Sequence, residues 1–216
     1  MCFSATASFA ASAALLGVGT ITLKSTRYAG ELPFAAIPFL FGLQQLVEGV
    51  IWLTFMYEAP LVNTVMTYLY TVFSHVLWPI YVPIAVLLIE PESDRRRTLL
   101  AFVVAGSAVG LYLLVSLTLF PVVSRPTGRH VEYVLPHYFA AATMTLYLMS
   151  TTISLVLSTH RYVRIYGVFA LLSFVAVYAF YATWFISVWC FFAGLLSGVV
   201  YLHFLPQIRI AKVVRT

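Results

Sequence analysis

The chain has 216 residues, of which 62% are hydrophobic and 9% charged, with a formal net charge of +5. Soluble domains carry about 25% charged residues, so this chain has too few to cover a surface facing water. With a mean hydropathy of +0.97, the positive balance points to helix orientation in a membrane and excludes nucleic acid as its partner.

Continuous apolar runs of about 20 residues, the length that crosses the hydrocarbon core, recur along the chain without the alternation of a transmembrane barrel. The expected class is all-α: a polytopic membrane bundle, one transmembrane domain over residues 1–216. Its spans are expected at about 4–23, 32–56, 61–89, 98–120, 137–157, 163–180 and 184–205. The first is rich in small residues from Ala5 to Ala14, which let helices approach closely in lipid and suggest a place inside the bundle. No charged leader precedes it, so it reads as a retained helix. The second enters through Pro33 and Pro38 and carries Gln44-Gln45-Leu46-Val47-Glu48. The third holds His75, with a kink expected near Pro79 and Pro83. Arg95, Arg96 and Arg97 introduce the fourth, a stop-transfer and headgroup feature. The segment from Pro121 to Pro136 reads as the longest polar loop.

Seven spans place the chain ends on opposite sides. Ten of the 12 Lys and Arg then share one side with the C-terminus, and only Arg125 and Arg129 lie on the other. The positive-inside rule makes that first side cytoplasmic and the N-terminus external. The expected location is a bacterial inner membrane, crossed several times, with the lipid bilayer as the first partner. An oligomer or a larger membrane complex is left open.

Glu48 is the residue that needs explaining. An ionisable group within a span is costly and is a functional-site hypothesis by default. At about 1.5 Å rise per residue, Glu48 lies roughly 6 Å outward of the midplane, and His75 nearly at it. Gln44, Gln45 and Trp52 share the Glu48 face or border it, and Trp78 flanks His75. Cys190 lies at a similar depth on the last span. Cys2 and His137 begin spans on the outer side, roughly 10 Å above Glu48, and join it only if the bundle funnels inward there. With Met1 removed, Cys2 would combine a free amine and a thiol. Two cysteines, Cys2 and Cys190, are too few for a disulfide framework.

The opening MCFSATASFAASAALL, the block IPFLFGLQQLVEGVIW and the block HVLWPIYVP resemble a family of small bacterial integral membrane proteins of unknown function. The resemblance covers most of the chain. It implies that Cys2, Gln45, Glu48, Trp52, His75, Trp78 and Pro79 are signature positions, and it implies no substrate.

Three readings of the Glu48–His75 pair stay open: a structural clamp between helices, a metal or haem site, and a relay for protons or substrate. A divalent transition metal such as zinc would need Glu48 and His75 plus Cys2 or His137, since such sites use three or four ligands. Haem fits less well, because the other histidines lie at different depths. The leading expectation is a membrane protein with a buried polar centre open to the outer side, which binds a metal ion or small ligand or passes protons. Gln44, Gln45, Trp52, Trp78 and Cys190 would line it. The alternatives are a metal-dependent intramembrane hydrolase and a structural accessory subunit. No nucleotide loop, catalytic triad or zinc-protease helix is legible, so whether the chain is an enzyme stays open.

Overall fold

A computed structural model describes residues 4–128, 130–136 and 139–213. Six helices in it are long and apolar enough to cross a membrane: α1 (Ala5–Lys24), α2 (Ala29–Met56), α3 (Pro60–Ile89), α4 (Ser93–Leu119), α6 (Arg161–Tyr181) and α7 (Phe185–Arg209). Between α4 and α6 lie a hairpin, β1 (Val123–Thr127) and β2 (His130–Val134), and a shorter apolar helix, α5 (Ala140–Val156). At about 1.5 Å per residue, α5 spans about 25 Å, just short of a hydrocarbon core of about 30 Å.

Burial ranks the helices. In their apolar windows α2 is 67% buried, α7 56% and α3 50%, whereas α4 and α6 are each 28%. The three inner helices are therefore the ones that carry Glu48, His75 and Cys190. The small residues of α1 do not take it to the centre as expected, since only 33% of its window is buried. They seat one face, with Ser8, Ser12, Leu15, Gly19 and Thr22 buried, against α2. Ser12 donates to the Gly42 carbonyl at 2.8 Å and Thr22 to that of Ala35 at 2.7 Å. A Cβ on Gly19 would lie 2.4 Å from the Phe39 nitrogen, so this approach requires glycine.

Helix α3 is irregular where its prolines require it. Val72–Leu77 is a π-helical stretch, and the Trp78 N–H bonds to the Phe73 carbonyl five residues back. The next bond in that register would run from residue 79 to Ser74, but Pro79 has no N–H. The Tyr147 hydroxyl of α5 supplies the missing donor, 2.5 Å from the Ser74 oxygen. Pro83 likewise leaves the Pro79 carbonyl without its helical donor. That oxygen points at Gly106 of α4, where a Cβ would lie only 1.9 Å from it. Gly110 lies one turn along, against Ile80 and the Val76 carbonyl, so a small-xxx-small seam packs α4 on the irregular part of α3.

The segment expected as a polar loop is a two-stranded β-hairpin within an otherwise helical fold. Its strands pair antiparallel from Val123–Val134 to Thr127–His130, and Gly128 takes the left-handed φ of +62° at the turn. Val131 and Tyr133 point into the bundle and pack with Val47, Ile51 and Tyr70. Tyr133 stacks on Tyr70 at 4.3 Å, and His130 on Trp184 at 4.7 Å. Ser124 bonds to Thr67 at 2.7 Å and donates to Asn63 at 3.1 Å. The hairpin therefore closes the end of the bundle above Glu48. Burial holds the His130 imidazole below its ordinary pKa.

The opposite, basic end is fastened by Glu90, which is 1% exposed. Its carboxylate accepts from Ser158 Oγ at 3.0 Å and from Thr159 N and Oγ1, each at 2.9 Å. His160 bonds the Ile89 carbonyl through Nε2 at 2.9 Å. Arg95 donates to the Leu157 carbonyl at 2.7 Å, and Arg96 to those of Leu87 and Glu90 at 3.2 Å. The rings of Phe34, His160 and His203 meet edge to face there. Two of the three consecutive arginines thus cap carbonyls at helix ends, work that the orienting role alone would not require.

Two outcomes follow. Tyr147→Phe leaves a buried carbonyl without a donor, which costs about 1–3 kcal/mol. Detergent-solubilised protein should melt lower and exchange amides faster across residues 72–78, and an unchanged melt contradicts the pairing. At Glu90, burial raises the carboxyl pKa, but the bonds from Thr159, Ser158 and Glu92 outweigh it and hold the group below its ordinary value. A depressed folded pKa contributes stability above the unfolded value and loses it as pH falls through the folded one. Melting from about pH 6 down to about pH 3.5 should therefore fall more steeply in the wild type than in Glu90→Gln. Parallel curves contradict the assignment.

Candidate functional site

The apolar face of α2 is interrupted by Gln44, Gln45 and Glu48, and all three side chains are fully buried. Helical spacing puts Gln44 and Glu48 one turn apart on a single face. Burying such groups is costly without partners, and α3, α7 and α2 itself supply several. Ser187 of α7 donates to Glu48 Oε1 at 2.7 Å, and Gln45 Nε2 to Glu48 Oε2 at 3.2 Å. Trp78 of α3 donates its indole N–H to Gln44 Oε1 at 2.7 Å and stacks on Phe41 at 3.8 Å. A polar strip on α2 is thus tied to α3 through Trp78 and to α7 through Ser187.

Cys190 is one turn beyond Ser187 on α7. Its thiol is buried, lies beside Gln44 and Tyr70, and is within electrostatic reach of Glu48. Tyr70 is fully buried and stacks beneath Tyr133 of the hairpin. It links the carboxylate's surroundings to the cap. Neither Tyr70 nor Ser187 was expected from sequence. A serine or tyrosine in an apolar run has no distinctive spacing, and only the meeting of α2, α3 and α7 selects these two.

His75 is 7% exposed, and its Nδ1 lies 2.8 Å from Ser74 Oγ. It lines a cavity of about 170 Å³ together with Cys190, Tyr147 and Trp189. A second space of about 20 Å³ is bordered by Trp78, Thr151 and the same three residues Tyr147, Trp189 and Cys190. Cys190 is therefore common to the Glu48 cluster and to the His75 cavity. Trp52 stands apart from both: it packs edge to face on Phe55 at 6.1 Å, against the Val47–Ile51 cluster under the hairpin.

Among the described residues, no group of three His, Cys, Asp or Glu side chains converges as a metal site would require. Cys2 and His137, the two remaining candidate ligands, lie outside the described residues. His160 and His203 are at the basic end and His130 is in the hairpin, and none of these three lines the His75 cavity.

The arrangement as it stands holds a carboxylate, a thiol and an imidazole in a buried interior, next to a space of about 170 Å³. No curated protein and no solved structure matches the chain. A family model does match, over residues 1–214. The chain therefore belongs to a family of unknown function, DUF6629.

Proposed function

We propose that this is a multi-pass protein of a bacterial inner membrane that binds a small ligand or ion at a sheltered polar centre within the bundle. Glu48 is the protonatable group of that centre. Gln44, Gln45, Tyr70, Ser187 and Cys190 set its surroundings, and His75 faces the adjoining cavity. One observation carries the reading. A carboxylate with no exposed surface is maintained in a membrane span, beside a cavity that shares Cys190 with it. A purely structural role would be served at lower cost by a neutral side chain, because an ionisable group at that depth is expensive.

In this reading all seven helices cross the bilayer, α5 included, with the N-terminus outside and the C-terminus cytoplasmic. The support is the collection of basic residues at one end, where Arg95, Arg96 and His160 bond to helix-end carbonyls, and the hairpin closing the other. If the ion is a divalent metal such as zinc, Cys2 or His137 would complete its ligands, and activation of water for hydrolysis becomes available to it.

Comparison of the wild type with Glu48→Gln tests the reading, because glutamine still accepts the Ser187 bond but has no proton to exchange. Bound divalent metal in the purified protein, or proton flux in liposomes, should differ by at least about tenfold between the two, with melting temperatures close together. Equality in both quantities leaves Glu48 as a clamp between helices and overturns the proposal.

A further inference from the structure

Ser8 of α1 and Gln45 of α2 carry oxygens that the surrounding protein does not satisfy. Both side chains have no exposed surface, and among the described residues Ser8 Oγ and Gln45 Oε1 have no hydrogen-bond partner. Buried hydroxyls elsewhere in the bundle close on their own helix: Thr71, Ser116 and Thr151 each donate to the carbonyl four residues back. Ser8 does not, although its backbone N–H bonds to the Ser4 carbonyl at 3.2 Å. The Gln45 amide nitrogen is committed to Glu48, so its oxygen has only lone pairs to offer. Buried polar atoms of this kind call for a water or an ion.

Helix packing brings both residues to the level of the Glu48 carboxylate. A Cβ on Gly49 would lie 2.7 Å from the Phe9 ring, which sets Ser8 level with Glu48 and Gly49. Ala11 packs on Phe191, and a Cβ on Gly194 would lie 3.5 Å from the Leu15 side chain. That parallel register of α1 and α7 puts Ser8 level with Ser187, the donor to Glu48. Gln45 lies one turn from both Gly42 and Gly49, the glycines packed on Leu16 and Phe9 of α1. The unsatisfied atoms are oxygens, which suit a hard cation better than a transition metal that seeks thiolate or imidazole. One carboxylate balances one charge, and a second positive charge would stay uncompensated in the span. A water molecule would satisfy the same oxygens but gives no reason for an ionisable group at that depth.

From this convergence we propose that Glu48, Gln45 Oε1 and Ser8 Oγ form a site for a hard monovalent cation, sodium, at the junction of α1, α2 and α7. The inference rests on the ion-binding reading above and names the class of ion for that centre. Glu48 balances the charge, Gln45 and Ser8 supply neutral oxygens, and Ser187 orients the carboxylate. The ion also ties α1 to the inner helices, beyond the bonds that Ser12 and Thr22 already make to α2.

The test measures binding of radiolabelled sodium and melting of the full chain in detergent, with choline chloride keeping the ionic strength constant. Wild-type protein should bind sodium saturably. At about a hundred times the half-saturating concentration it should melt about 5 °C or more above its value in choline alone. Ser8→Ala should raise the half-saturating concentration by about tenfold or more. Without sodium the same variant should melt no lower than the wild type, because the hydroxyl it loses has no partner among the described residues. Gln45→Met, which removes the amide oxygen, should weaken sodium binding likewise, and it serves as the reading if Ser8→Ala fails to fold. Absence of saturable sodium binding by the folded wild type overturns the inference. So does a melting temperature that is the same in sodium and in choline. A Ser8→Ala variant that melts lower without sodium yet binds it normally also overturns it, since that marks an ordinary hydrogen bond or a water at Ser8. If sodium binds as stated but Glu48→Gln is silent in divalent metal content and proton flux, the cation site stands and proton exchange at Glu48 falls. If Glu48→Gln is active in those quantities and sodium does not bind, only the sodium assignment is lost.

Discussion

A carboxylate in the interior of a membrane bundle has no water to turn to, so every lone pair of Glu48 has to be met by protein or ligand. That constraint organises the molecule. It requires a hydroxyl at the matching depth on another helix, which is Ser187, and an amide on its own helix, which is Gln45. It also requires that α2, α3 and α7 stay together closely enough to exclude lipid. The most heavily buried helices are these three, and the polar strip of α2 is bonded to each of its two partners through a tryptophan or a serine.

The irregular backbone of α3 serves the same end. Pro79 and Pro83 remove two helical donors, and the freed carbonyls find Tyr147 on α5 and the glycine seam on α4. Tyr147 on a neighbouring helix re-satisfies the first of these carbonyls, as membrane helices that contain proline commonly allow. The π-helical stretch directly before Pro79 contains His75, and such segments often occur at functional sites. The hairpin closes one end with stacked tyrosines, and Glu90 ties the turns at the other. The polar centre is thus held between two ends that are themselves hydrogen-bonded.

Much of this was legible in the sequence, for identifiable reasons. Long apolar runs are decisive in lipid, and six helices long and apolar enough to cross a membrane occur among the described residues. Depth follows from helical rise, which set Cys190 near the level of Glu48; in the structure the thiol is within electrostatic reach of that carboxylate, and Trp78 bonds to Gln44, a contact that spacing alone did not foresee. The hairpin was missed because Arg125, Glu132 and Gly128 dominate its composition. The alternation of buried Val131 and Tyr133 with half-exposed Glu132 and exposed Val134 was present but short. The place of α1 was also misjudged. Small residues permit close packing, but they do not say whether one face or both will be covered. Trp52 shares a face with Glu48 by spacing, yet one turn of helix carries it to Phe55 and the cluster under the hairpin, and it does not line the cavity.

The Glu48–Ser187 bond is the contact on which the account turns, and a double-mutant cycle between Glu48→Leu, which removes the acceptor, and Ser187→Ala measures it most directly. Reversible unfolding of the four proteins in a fixed detergent mixture should give a coupling of about 1.5–3 kcal/mol, the range for a hydrogen bond to a charged group. Additive effects, with a coupling near zero, would mean that the carboxylate is not held across the bundle, and the proposed centre would lose its basis.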